Sequence, residues 1–332
     1  MAKRKTKKAA SAAKRKAKAA ATPRVKTAEA PRKPGKGIFL IAALCVFALL
    51  VAAEMYYVSK KSAVRSMRPQ FVKSWAKSHK GVTSIAAYSN HLYMIDNTRG
   101  SVYKYDRQNG TLLKIYEYEE GVYGAAEASG GTLFILHKNN TITRISSGDK
   151  VLGKIPLGGI QIAGWIDIDS NDNLFISDKG TGKITKFSPE MEKTAEFGGS
   201  GTGKDKFIQL AKVFTAPDDT IYCVNRVERK SMDIKIFTND GKFKKSWPVK
   251  QIQEFSGLEN IAVSPSGEVY INSFDASKVF VFDNNGKFLS TFETDTAKRF
   301  VITYPASLCG DKKEDLLYVD THQLGIFNYI KY

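Results

Sequence analysis

An aliphatic residue followed by an aromatic one recurs at nearly even intervals along the last three quarters of the chain. The six pairs are Leu92-Tyr93, Leu133-Phe134, Leu174-Phe175, Ile221-Tyr222, Val269-Tyr270 and Leu317-Tyr318. Successive aromatic residues of these pairs are 41 to 48 positions apart. Around each pair, short segments alternate between apolar and polar residues, and turn-forming Gly, Pro, Asn and Asp separate them. Repeats of this length built from short strands are typical of propeller blades, so the pattern predicts an all-β, six-bladed β-propeller.

The ring of blades is predicted to close through a strand that precedes the first repeat. The sixth repeat ends at Tyr332 without an outermost strand, whereas FVKSW at 71–75 resembles FKKSW at 243–247 in the outer strand of the fourth repeat. We therefore expect residues 70–77 to pair with the C-terminal blade. Such closure removes the exposed edges of an open sheet. The propeller domain is predicted to span 70–332.

A continuous apolar segment lies ahead of the propeller. Residues 37–53 contain no charged residue, and apolar character continues to Val58. At 1.5 Å per residue the segment is roughly 33 Å long, enough for a bilayer core of about 30 Å. The sequence predicts a transmembrane helix over 37–58, joined to the propeller by a short linker over 59–69. A cleaved signal peptide is the alternative.

Most of the positive charge lies before this segment. Residues 1–36 hold +13 of the net charge of +18, whereas residues 69–332 hold only +2. The tail is rich in Lys and Ala and is predicted to be disordered, because it cannot bury enough apolar surface to fold. The larger basic flank stays in the cytoplasm, which predicts a single-pass signal anchor with a periplasmic or extracellular propeller. Nucleic acid is expected only as a partner of the tail.

A glycine-rich segment at 198–205, GGSGTGKD, nearly matches a phosphate-binding loop. That motif needs a Ser or Thr after the Lys and a helix that presents its N-terminus to the phosphates. Here Asp205 replaces the hydroxyl residue and strand-like segments lie on both sides. We therefore interpret these glycines as a connection between blades, with no nucleotide cofactor.

Two of the repeats resemble the NHL-repeat family. EFGGSGTGKDKF at 196–207 resembles the glycine-rich connection of that family, and GWIDIDSNDNLFISDKGTGKITKFS at 164–188 resembles its core unit. GLENIAVSPSGEVYINSFDASKVFVFDNNGKFL at 257–289 is the second good match. The resemblance is looser over the rest of 81–332. It implies a six-bladed propeller, and some propellers of this kind are lyases or lactonase-like hydrolases that gather polar residues around the central channel.

Six polar residues occupy equivalent positions near the end of the second predicted strand of each repeat. They are Asp96, His137, Asp178, Asn225, Ser273 and Asp320. With the exception of Ser273, they are candidate ligands for a calcium or zinc ion at a channel mouth, because carboxylate oxygens suit a divalent cation. The alternative is that they hold loop backbone groups in Asx turns.

A second candidate set lies at the start of the innermost predicted strands. Its members are Trp165, Lys212, Glu259 and Asn260. An exposed Trp at a channel rim suits a contact with a protein or glycan. Packing in the core is the alternative for the same side chain.

The sequence contains a complete scaffold without a recognisable catalytic set. Function depends on sites and not on the fold, so this favours a membrane-anchored binding or scaffolding module that presents loops to a protein or cell-envelope partner. The alternative is a metal-dependent lyase or lactonase-like hydrolase with its site in the central channel.

Overall fold

The computed structural model describes residues 45–56, 70–77, 81–228, 231–252, 260–293, 302, 307–312, 316–321 and 323–328. The chain divides into two compact units, Met1–Val58 and Ser59–Tyr332. The predicted tail over 1–36 and linker over 59–69 lie outside the described residues.

The first unit contains one described helix, α1, over 45–56. All of its residues are exposed, and the apolar side chains of Phe47, Leu49 and Leu50 are 66%, 70% and 62% exposed. Residues 37–44 and 57–58 of the predicted membrane span are not among those described. Within the described part of the chain, no helix is both long enough and apolar enough to cross a membrane.

The second unit consists of six four-stranded antiparallel sheets, which confirms the predicted all-β, six-bladed propeller. The first three blades are β2 (Val82–Tyr88), β3 (His91–Asp96), β4 (Ser101–Asp106) and β5 (Leu112–Glu117); β6 (Val122–Glu127), β7 (Leu133–His137), β8 (Thr141–Ile145) and β9 (Val151–Pro156); and β10 (Ala163–Ile168), β11 (Leu174–Asp178), β12 (Lys183–Phe187) and β13 (Lys193–Gly198). In each, consecutive strands pair in chain order, so the first strand is innermost and the fourth is outermost.

The last three blades repeat this arrangement, with one exchange. They are β14 (Leu210–Thr215), β15 (Ile221–Glu228), β16 (Ser231–Phe237) and β17 (Phe243–Val249); β18 (Ile261–Val263), β19 (Val269–Ser273), β20 (Lys278–Phe282) and β21 (Phe288–Phe292); and β22 (Ser307–Gly310), β23 (Leu316–Asp320), β24 (Gln323–Asn328) and β1 (Gln70–Lys77). The outer strand of the sixth blade is β1, which pairs antiparallel with β24 from Gln70↔Asn328 to Lys77↔Gln323. This is the position expected from its resemblance to β17.

The core lies between blades, because the sheet faces pack against one another. The aromatic residues of the recurring pairs fall in the second strands, where Tyr93, Phe175 and Tyr270 are completely buried. Tyr93, for example, packs in one cluster with Val122 and Leu133 of the next blade. The even spacing of the pairs therefore reflects the presence of one buried aromatic side chain from these pairs in each blade.

The glycine-rich segment connects β13 to β14, as expected from the flanking strands. Lys235 holds two of its carbonyl groups: Lys235 Nζ donates to the carbonyl oxygens of Gly203 and Lys204 at 3.2 and 3.0 Å. Phe207 ends the segment and is completely buried between blades three and four. The next element is a strand and not a helix, so the geometry of a phosphate-binding loop is absent from this described segment.

Candidate functional site at the central channel

The innermost strands of the six blades surround a narrow central channel. The space inside it is about 40 Å³, which holds only a few water molecules. All six strands run in the same direction along it. We call the end where they begin the start mouth and the opposite end the end mouth.

The six polar residues at the ends of the second strands are buried and belong to separate blades. Their exposed fractions are 2% or less, and none of them is among the described residues that line the channel. The second strand lies one strand outside the channel wall, so these side chains point into the blades. Among the described residues, no group of three or more His, Cys, Asp or Glu side chains is close enough to hold a metal ion.

Asp178 illustrates what these side chains do in the structure. Its carboxylate accepts hydrogen bonds from the backbone N–H groups of Gln161, Ile162 and Gly180 at 2.9 to 3.0 Å, and from the Thr181 hydroxyl at 2.8 Å. Burial raises the pKa of Asp178, but these hydrogen bonds outweigh it and hold the pKa below its usual value. The carboxylate thereby fixes the loop that enters the innermost strand.

Three other members of the set also hold local structure. Asp96 Oδ1 accepts from the backbone N–H groups of Thr98 and Arg99. Asn225 Oδ1 likewise accepts from the N–H groups that precede β14. His137 Nε2 lies 2.7 Å from the Thr143 hydroxyl, and burial lowers the pKa of this imidazole although Glu120 acts in the opposite direction. The Asp96 contacts have the geometry of the Asx-turn alternative, whereas Asn225 holds a more distant loop and His137 contacts a side-chain hydroxyl.

The second candidate set does reach the channel. Trp165, Lys212 and Asn260 line it toward the start mouth, whereas Glu259 lies outside the described residues. The ammonium group of Lys212 is 3.5 Å from the centroid of the Trp165 ring, a cation–π contact between blades three and four. The structure therefore brings three of these four residues to one rim.

The end mouth opens into a cavity of about 420 Å³. Its described charged lining residues are Glu127, Asp169, Asp172, Asp219, Asp311, Arg107 and Lys312. A volume of this size is within the range of small-ligand sites. The turns between first and second strands of several blades form its wall.

Serine–aspartate pairs join neighbouring turns around this cavity. Ser129 of blade two donates its N–H and its hydroxyl to the two carboxylate oxygens of Asp172 in blade three, both at 2.7 Å. Ser170 of blade three does the same with Asp219 of blade four. In the next turn Pro217 occupies the serine position and Gly267 the aspartate position, so the series of pairs ends there. These bonds fix the turns of three blades as one wall.

The cavity carries an excess of negative charge. Arg107 forms an ion pair with Asp311, and Lys312 reaches across the channel to Asp167 at 3.1 Å. Asp172 and Asp219 receive only neutral donors among the described residues, so their charges are not neutralised there. A cationic group is the natural complement of such a wall.

Sequence reasoning missed this cavity. Its residues come from turns that are 40 to 50 positions apart and form no contiguous motif. The signal that could have found it is the joint presence of a Ser in one turn and an Asp in the next, visible only after the repeats are aligned by their aromatic pairs.

The comparisons with known proteins identify the fold. No family model and no curated protein matches the chain. A catalytically inactive virginiamycin B lyase from Staphylococcus aureus with quinupristin is 16% identical, with a TM-score of 0.54, over 76% of this chain and 83% of that one. Kuenenia stuttgartiensis hydrazine synthase is 11% identical, with a TM-score of 0.55, over 77% of this chain and 98% of that one.

The WD40 repeats of RRP9 are 10% identical, with a TM-score of 0.55, over 78% of this chain and 98% of that one. These proteins share the propeller fold at identities that carry no activity from one to another. The class defined by fold and comparisons is therefore the six-bladed β-propeller. Membership of the NHL-repeat family stays a prediction.

Proposed function

We propose that this protein is a binding module that captures a protein or cell-envelope partner at the end mouth of its propeller. The observation that carries the proposal is the cavity of about 420 Å³ with its excess of carboxylates. The serine–aspartate pairs hold its wall in place, and a preformed wall lowers the entropy that binding costs.

The charge of the wall favours a partner that inserts a cationic group. Asp172 and Asp219 are half-buried and accept hydrogen bonds from neutral donors only, within the part of the chain described. Partial burial strengthens their attraction for a Lys or Arg side chain relative to fully exposed carboxylates. Tyr88 and Pro217 supply apolar surface beside them.

The proposal includes a membrane tether. The exposed apolar residues of α1 support it, because a soluble helix normally buries one apolar face. The uncharged sequence over 37–53 and the basic flank before it support a cytoplasmic N-terminus and a propeller outside the membrane.

Site-specific photo-crosslinking of the full chain in its native membrane tests the binding role. A photoreactive residue at Pro217 is expected to give a discrete cross-linked product, whereas one at the exposed outer-strand position Lys244 is not. Changing Asp172 and Asp219 to Asn keeps an acceptor for each serine but removes the charge, and is expected to abolish the product. No product from Pro217, or the same product from Lys244, would contradict the proposal.

A metal-dependent lyase or hydrolase is the second candidate. The named fold neighbour that is a lyase favours it, although the likeness is one of fold. Elemental analysis of the dialysed full chain is the test. Near-stoichiometric calcium or zinc in the dialysed protein would favour an enzyme, and a metal-free folded protein would favour the binding role.

A further inference from the structure

Two lysine ammonium groups approach the ring of one tyrosine on the start-mouth side of the propeller. Tyr123 lies in β6, the innermost strand of blade two. The Nζ atom of Lys179, just after β11, is 4.6 Å from the centroid of its ring, and the Nζ atom of Lys138, just after β7, is 6.0 Å from it. The two cations come from neighbouring blades and share one aromatic side chain.

Glycines give the two lysine stems their positions. A Cβ added at Gly164 would lie 2.6 Å from Lys179 Cε, and one added at Gly121 would lie 2.9 Å from Lys138 Cδ. Each stem therefore passes directly over a backbone that has no side chain. Lys138 Nζ also donates to the carbonyl oxygen of Asn97. Both lysines are exposed, and the fold determines where their stems lie.

The charges of these lysines are not balanced. Among the described residues, neither Lys138 nor Lys179 forms an ion pair with a carboxylate, and a single tyrosine ring offsets only part of the repulsion between two cations. Burial and the neighbouring Lys138 together lower the pKa of Lys179. A folded protein that keeps two like charges in this position gains stability when an anion joins them.

We infer that the Lys138–Tyr123–Lys179 cluster is a binding site for an anionic group, a phosphate or a carboxylate, of a ligand that lies over the start-mouth face between blades two and three. Lysine ammonium groups bind either anion as compact point charges. Trp165 and Lys212 lie on the adjacent part of the rim and extend the site toward the channel. The site is separate from the acidic end mouth and does not depend on the role proposed there.

Competitive acetylation of lysines, read by mass spectrometry on the full chain in detergent, tests this site. Without an added anion, Lys179 is expected to react faster than Lys244, which is also exposed, since a lowered pKa leaves more free amine. Inorganic phosphate or citrate, each at matched ionic strength against chloride, should protect Lys179 saturably and leave Lys244 unchanged. The more protective of the two anions identifies the favoured chemistry.

Two substitutions separate the site from general charge effects. Lys138→Gln is expected to lower the affinity of the protecting anion roughly tenfold, since a charge-assisted hydrogen bond contributes more than about 1.4 kcal/mol. Lys244→Gln should leave the affinity unchanged. Equal unfolding midpoints of both variants would show that the fold is intact. Failure of both anions to protect Lys179 selectively, or an equal effect of the two substitutions, would overturn the inference.

Discussion

At the scale of single residues, two glycines allow neighbouring blades to approach closely. Gly241 and Gly286 lie in the turns between third and fourth strands, with φ of +85° and +81°. An aromatic residue from the outer strand of the preceding blade lies against each turn: a Cβ would be 2.5 Å from Phe197 at Gly241 and 2.4 Å from Trp247 at Gly286. Both the backbone conformation and the contact require glycine at these positions.

The change Gly286→Ala is expected to lower the free energy of unfolding by about 2 to 4 kcal/mol, because it combines a left-handed backbone with a clash against Trp247. Gly153→Ala in β9 is the matched control, since nothing lies within 4 Å of its added Cβ. Urea unfolding followed by circular dichroism measures both. Equal losses in the two variants would show that the close approach at Gly286 does not matter.

Asp178 provides a prediction about pH. Its pKa in the folded protein is below the ordinary value of 3.8, so its contribution to stability is present above pH 3.8 and is lost as pH falls through the folded pKa. Asp178→Asn is expected to cost about 1 to 3 kcal/mol at pH 7. The stability difference between wild type and variant should narrow below about pH 4. A difference that stays constant down to pH 3 would refute this account.

The sequence identifies residues at structurally equivalent positions more readily than it identifies the role of each one. Asp96, Asp178 and Asn225 were identified from their equivalent positions, and the structure shows that each accepts hydrogen bonds from loop backbone. Asp178 and Asn225 hold the loops that enter innermost strands, whereas Asp96 holds the turn between β3 and β4. Their place in the second strand was predicted, but their separation from the channel depends on how the blades pack, which the periodicity does not report. Lys138 and Lys179 belong to no sequence motif. Their contact with Tyr123 depends on how blades two and three are placed beside each other, which the sequence pattern does not show.

At the scale of elements, β1 joins the ends of the ring. It pairs with β24 in blade six, and Lys73 Nζ donates to the carbonyl oxygen of Gln108 in blade one. One short strand therefore bridges the junction between the last blade and the first. Its removal would expose the edge of β24.

Removal of β1 is expected to destabilise the whole propeller. A chain shortened to 81–332 should unfold at a lower urea concentration than one shortened to 69–332. A synthetic peptide of residues 70–77 should raise the lower midpoint in a concentration-dependent way, because it binds the folded form. Identical midpoints of the two shortened chains, or no effect of the peptide, would show that closure by β1 is dispensable.

The elements were predictable from sequence because their signals are local. Strand positions follow from alternation and from the buried aromatic pair, and β1 was recognised by its likeness to β17. The outer strands are harder to recognise: β5 has the sequence LLKIYE, yet Leu112, Leu113 and Ile115 are 41%, 48% and 42% exposed. In an outer strand, apolar residues can lie on the exposed face, so the sequence pattern does not show which face of the strand is buried.

At the scale of the whole molecule, exposed apolar residues occur in both compact units but in different settings. In α1 they cover the helix, whereas on the propeller most of those described lie on outer strands among polar residues. The total charge of +18 likewise comes mostly from the region before the apolar segment. Composition averaged over the chain therefore describes neither unit.

A membrane tether predicts that the full chain stays in the membrane fraction after extraction with alkaline carbonate. Changing Leu49 and Leu50 to Lys should release a large part of it, because each lysine at a helix centre costs about 2.5 to 3.5 kcal/mol in membrane insertion. Leu152→Lys on the outer strand β9 is the control, since Leu152 is also exposed, at 53%. Complete release of the unaltered chain would exclude the tether.

The pairing of β1 with β24 also sets the order of events during synthesis. β1 leaves the ribosome before any other strand of the propeller and its partner leaves after all the others. At about 5 to 20 residues per second the interval is roughly 12 to 50 seconds. During that interval β1 has no partner, and a β24 from a second nascent chain could take it. Neighbouring chains on one polysome could therefore exchange β1 and form a strand-swapped dimer, so that the local density of translation determines the yield of closed monomers.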